Sequence, residues 1–192
     1  MNSETSNLEI SKPENMVYRT LLALFLIAIA AALRIAPHPW NFTPIGAMAL
    51  FSGAYLKNRR LAFAFPLVAL FAGDLFTGFY SYKLMLVVYA SFLFSVAIGF
   101  WLRDRRSIGR ISFTTLLGAF QFFVIVDLGV WAFSTTYPHT LAGLTACYVA
   151  AIPFFFNMLA GDALYAILFF GGFALAEHFL PILRESQPQS AD

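Results

Sequence analysis

Apolar positions in this chain fall in long, nearly unbroken blocks separated by short polar breaks, without the regular one-sided stripe of a soluble helix. A helix that is apolar all round belongs in a large core or in lipid. A bilayer's hydrocarbon, about 30 Å thick, takes about 20 helical residues to cross. The blocks predict helices near 17–35, 44–56, 60–80, 83–103, 111–133 and 155–180. The second is short, with Pro44 suited to its first turn. A further apolar piece, 141–152, is too short to span and stops before Pro153, which predicts a short re-entrant or interfacial helix ahead of the last span. Residues 1–15 and 182–192 are polar and rich in Ser, Glu and Gln. They read as disordered tails around one transmembrane domain over 16–181. The expected fold is therefore an all-α integral membrane bundle of six transmembrane helices.

Composition sharpens that reading. Of 192 residues, 60% are hydrophobic and 11% charged, against about 25% charged in ordinary soluble domains. A wetted surface cannot be built from so few charges. Ten basic residues (Lys12, Arg19, Lys57, Arg59, Arg60, Arg103, Arg105, Arg106, Arg110 and Arg184) fall on one side of the six expected spans, and Arg34 and Lys83 on the other. This bias predicts that both termini lie in the cytoplasm and that the chain crosses the membrane several times. Residues 21–32 have the length of a signal-peptide core, but Glu4, Glu9 and Glu14 precede them, and cleavage would spoil the charge alternation. The single cysteine, Cys147, excludes an internal disulfide and paired-cysteine metal motifs. No cofactor, bound metal or nucleic-acid partner is expected.

Three spans each carry one aspartate, Asp74, Asp127 and Asp162, and each lies ~9–11 Å below the outer end of its helix. An aspartate at the middle of a span costs about 2.5–3.5 kcal/mol even on permissive scales, so three at one depth point to an enclosed polar pocket. Arg34, at the same end of the first span, is the natural counter-charge. With Lys83 it leaves the outer third at a formal −1, which favours a cationic solute. Above it lie two stiff loops, Pro37-His38-Pro39-Trp40-Asn41-Phe42-Thr43-Pro44 and Ser134-Thr135-Thr136-Tyr137-Pro138-His139-Thr140. Arg34, His38, Trp40, Asn41, Asp74, Asp127, Trp131, Tyr137, His139 and Asp162 are thus the candidate substrate-binding residues. Simpler roles exist for each. Trp and Tyr at span ends serve as interfacial anchors, loop histidines as turn residues, and the aspartates as packing groups satisfied by neighbouring helices. Cys147 reads as a small packing residue, and the Arg103–Arg110 cluster as a topology signal with affinity for anionic lipid.

The stretches RIAPHPWNFTPIGAMALFSGAYL (34–56) and YPHTLAGLTACYVAAIPFFFNMLAGDALYAILFFG (137–171) resemble a family of small bacterial membrane proteins of unknown function whose members are labelled as candidate transport proteins. The architecture is also similar to the S components of energy-coupling factor (ECF) vitamin transporters. That resemblance implies a ligand held on the outer side, under loops. It also implies an Ala-xxx-Ala docking motif on the first helix, matched here by Ala28 and Ala32, for an ECF-type transmembrane subunit with its ATPases. No Walker motif is present, so ATP would be hydrolysed by a partner. The function expected is a transporter, or its substrate-capturing subunit, for a small polar nutrient such as a vitamin, vitamin precursor or metal complex. It is not expected to be an enzyme. The alternatives are a non-catalytic membrane scaffold or assembly subunit, and a membrane enzyme acting on lipid or isoprenoid phosphate.

Overall fold

Polar caps mark where the helices begin. In a computed structural model, which describes residues 12–33 and 41–183, the chain forms α1 (Lys12–Leu33), α2 (Ile45–Tyr55), α3 (Arg59–Thr77), α4 (Tyr82–Phe100), α5 (Ile108–Phe133) and α6 (Leu141–Ala166). A π-helical turn, Ile167–Gly171, leads from α6 into α7 (Gly172–Phe179). The Asn58 side chain accepts the Arg60 and Leu61 amides at the head of α3, Ser107 accepts from Arg110 at α5, and Thr140 from Gly143 at α6. Each cap satisfies an amide that the first helical turn leaves without a partner. Arg34, His38 and Trp40, and most of both expected tails, lie outside the described residues.

The expected separate helix over 141–152 is a correction. Those residues are the opening turns of α6, and the helix from Leu141 to Phe179 runs uninterrupted for 39 residues with Pro153 inside it. Packing on α5 explains this. The ring of Phe123 meets Tyr148 at 5.4 Å and Phe155 at 5.0 Å, on either side of the proline, and the Tyr148 hydroxyl donates to the Val124 carbonyl at 2.7 Å. These contacts keep both halves on one axis against an interior-proline penalty of about 3 kcal/mol. The expected tail limits also shift. Helix α1 begins at Lys12, and Leu183 is buried, its carbonyl accepting a hydrogen bond from Arg19, which also pairs with Glu177.

The centre of the molecule is α2. Every residue from Ala47 to Ala54 is buried, and Phe51 meets the rings of Phe169, Phe170 and Phe173 at 5.6, 5.4 and 5.8 Å. An 11-residue helix is marginal alone, so its stability comes from this enclosure. Helix α4 crosses it closely: a methyl added at Gly53 would overlap the Val96 carbonyl, and one at Gly99 the Leu50 carbonyl. Small residues at such a crossing let the two backbones touch.

Among the described residues, three helices are long and apolar enough to cross a membrane: α4, α5 and the continuous Leu141–Phe179 helix. The apolar stretches in α1 and α2 are shorter. Large apolar side chains such as Phe76, Leu86 and Ile167 point outward rather than into the core.

Candidate functional site

The three aspartates expected at one depth have three different surroundings. Asp74, on α3, is buried, and its Oδ2 accepts the Tyr89 hydroxyl of α4 at 2.8 Å. Asp162, on α6, is also buried, and its Oδ1 accepts the backbone amide of Ala47 at 3.0 Å. Ala47 is in the first turn of α2, where Pro44 supplies no side-chain cap. The carboxyl group of one helix thus caps the amino end of another, which also favours negative charge there through the helix dipole. Gly46 makes room for it, since a methyl at that position would overlap the carboxylate.

Asp127 differs. It lies half-buried on α5 and lines a cavity of about 80 Å³ between α5 and α6. Phe122, Phe123, Phe154 and Phe155 form its walls, with Met158 beside them. Its polar rim is Asn41, which stands at φ 62°. Asparagine is among the few residues that tolerate this left-handed backbone, and the turn carries Asn41 to the mouth of the cavity. Among the described residues, the Asp127 carboxylate accepts no hydrogen bond and joins no ion pair. A carboxylate against aromatic rings in a space this size can hold a small cation, through direct charge and through the ring faces, or a few ordered waters.

Of the ten expected site residues, Asn41 and Asp127 are brought together here. Asp74 and Asp162 do not line this cavity, nor do Trp131, Tyr137 and His139. Trp131 and His139 shape the loop between α5 and α6: Trp131 Nε1 donates to the Pro138 carbonyl at 3.1 Å, and its ring meets His139 edge-on at 5.6 Å. Cys147 is buried, its thiol donating weakly to the Asp127 carbonyl at 3.5 Å. Ala28 and Ala32 are exposed on α1, while Ala23 and Ile27 face the core. Among the described residues, no three His, Cys, Asp or Glu side chains come together as a metal site.

Other polar groups do structural work that sequence reading did not assign. Arg103 donates to the Gly53 and Leu56 carbonyls at 2.8 and 2.6 Å, closing the carboxyl end of α2. Gln121 ties α5 to α4 through the Ser91 carbonyl and the Ser95 hydroxyl, both at 3.0 Å. Tyr89 holds Asp74. A lone hydroxyl or amide inside an apolar block was the available signal for Tyr89 and Gln121, because each must find a partner once buried. No such signal marked Arg103, which reads equally well as a topology charge.

Among curated proteins and among solved structures, none matches this chain. A family model matches residues 14–183, nearly the whole length, and by that match the chain belongs to DUF6580, a family of unknown function.

Proposed function

We propose that this protein is a multi-pass transporter of the bacterial inner membrane, or the solute-capturing subunit of one, and that it takes a small cationic solute at Asp127. In this reading six helices cross the bilayer, both termini are cytoplasmic, and the cavity opens toward the outside. The observation that carries it is the Asp127 carboxylate, which has no partner among the described residues and stands in an aromatic-walled cavity on a helix long and apolar enough to span. Intramembrane carboxylates of this kind mark ion and substrate paths. A volume of about 80 Å³ admits an ammonium head or a small amine rather than a whole vitamin. The recognised chemistry is therefore a compact positive group, with Asn41 orienting it by hydrogen bonding. The exposed Ala28 and Ala32 are the proposed seat for the helix of an energy-coupling partner of ECF type.

The test is thermal unfolding of the detergent-solubilised chain against small ammonium ions, amine-bearing nutrients and divalent metals. A ligand present at 100 times its dissociation constant adds about 2.7 kcal/mol to the folded state. Stabilisation is expected from a cationic ligand, and Asp127→Asn is expected to abolish it. A panel without effect, with Asp127→Asn as stable as wild type, would overturn the reading. The second reading, a non-catalytic scaffold, is favoured by the roles of Asp162, Arg103 and the Asp74–Tyr89 pair, whose polar groups are spent on joining helices.

A further inference from the structure

Helices α5 and α6 pack along their outer halves and part toward the inner end, leaving a groove of about 660 Å³. This lies within the range of about 300–1,000 Å³ typical of small-molecule sites. Its walls are mainly apolar, with Ser112 and Thr115 of α5 among them. Ile108, Ile111 and Leu116 come from α5, facing Leu159, Ile167 and Phe170. Small residues hollow it out: Ala163 and Ala174 line it, and a Cβ added at Gly171 would meet nothing within 4 Å. The π-helical turn Ile167–Gly171 forms part of the wall, a backbone irregularity often found at functional sites.

One end of the groove is charged. Arg106 lines it with its guanidinium 4.5 Å from the centre of the Tyr55 ring. The planar fork of a guanidinium suits a phosphate. Glu177 also lines the groove and is paired with Arg19. Positive charge is crowded at this rim: burial, then the neighbouring Arg59 and Arg106, push the Arg103 guanidinium below its usual range, against the pull of Asp104.

We propose that this groove binds an anionic phospholipid, one acyl chain lying between α5 and the Leu141–Phe179 helix and the phosphate resting at Arg106. The inference rests on the membrane placement proposed above but not on the Asp127 site. An apolar cleft opening sideways in a bilayer is filled by chains, because an empty one forfeits dispersion contacts along its walls. Basic pockets between helices on the cytoplasmic side select anionic head groups. A second copy's apolar helix would fill the walls yet bring no anion to the cationic rim.

Thermal unfolding of the full chain in mild detergent tests this, with added phosphatidylglycerol, phosphatidylcholine of the same chains, or inorganic phosphate. Phosphatidylglycerol is expected to stabilise saturably, phosphatidylcholine less, and phosphate not at all. Arg106→Gln should weaken the phosphatidylglycerol response about fivefold, to the level of the neutral lipid. Gly171→Phe, which fills the groove at a position open to a larger side chain, should remove both responses while circular dichroism stays helical. A Gly171→Phe protein that responds like wild type overturns the proposal. So does a response reproduced by phosphate alone, or a dimer that Gly171→Phe turns into monomer. Recovery of the chain in the soluble fraction without detergent would instead overturn the membrane placement. A detergent-dependent protein indifferent to both lipids leaves that placement standing and sinks the lipid site.

Discussion

Asp162 and Arg103 reach α2 from opposite ends, the carboxylate at the amides of its first turn and the guanidinium at its last carbonyls. Each charge sits at the helix end whose dipole it complements. Asp162 is buried, so no water replaces it at the Ala47 amide, whereas Arg103 is half-buried beyond the end of α4. Asp162→Ala, which strands the Ala47 amide, is expected to lower stability by about 1–3 kcal/mol, and Arg103→Ala by a similar amount. Asp162→Asn, which keeps an acceptor oxygen, should lose clearly less. The two sites lie about 9–14 Å apart along the helix, so the double variant should show the sum of the single losses within about 0.5 kcal/mol in chemical unfolding. Depth counting along the spans put the three aspartates at one height, but height does not fix direction. Whether Asp74 turns to Tyr89, Asp162 to α2 or Asp127 to a cavity depends on how each helix is rotated. A helix that is apolar on every side carries no stripe from which to read that rotation.

At the level of elements, the apolar blocks located helices well because lipid-like runs are long and the breaks between them carry caps such as Asn58, Ser107 and Thr140. Pro153 misled, since a proline is a local stop signal and the contacts that override it come from a different helix. If α6 is continuous by virtue of those contacts, Pro153→Ala restores a hydrogen bond and the helix is strengthened. The variant is expected to be as stable as wild type or more so, by up to about 3 kcal/mol. A loss of more than about 1 kcal/mol in the same unfolding experiment would mean that the proline ends a helix there. The shortness of α2 was legible, but its position at the centre was not. Nothing in IGAMALFSGAY distinguishes a helix wrapped by protein from one facing lipid.

At the scale of the whole molecule, the all-helical character was plain in the composition, whereas the site emerged only when the chain was folded. Asn41 and Asp127 are far apart in sequence, and the wall between them comes from α5 and α6 together. The Leu141–Phe179 helix has a further consequence. At 1.5 Å per residue it is about 58 Å long, nearly twice the hydrocarbon it would cross, and more than a tilt within the usual range of up to about 40° can absorb. In a bilayer its ends would either emerge into the head groups or thicken the membrane around them. Bilayer thickness would then be a variable to which this protein responds. Reconstituted in phosphatidylcholines of increasing chain length, it is expected to melt at higher temperature until the lipid matches its apolar surface, and to partition into the thicker regions of a mixed membrane. A melting temperature indifferent to chain length would mean that the long helix keeps its ends in water. Hydrophobic mismatch would then give this protein no preference among membranes.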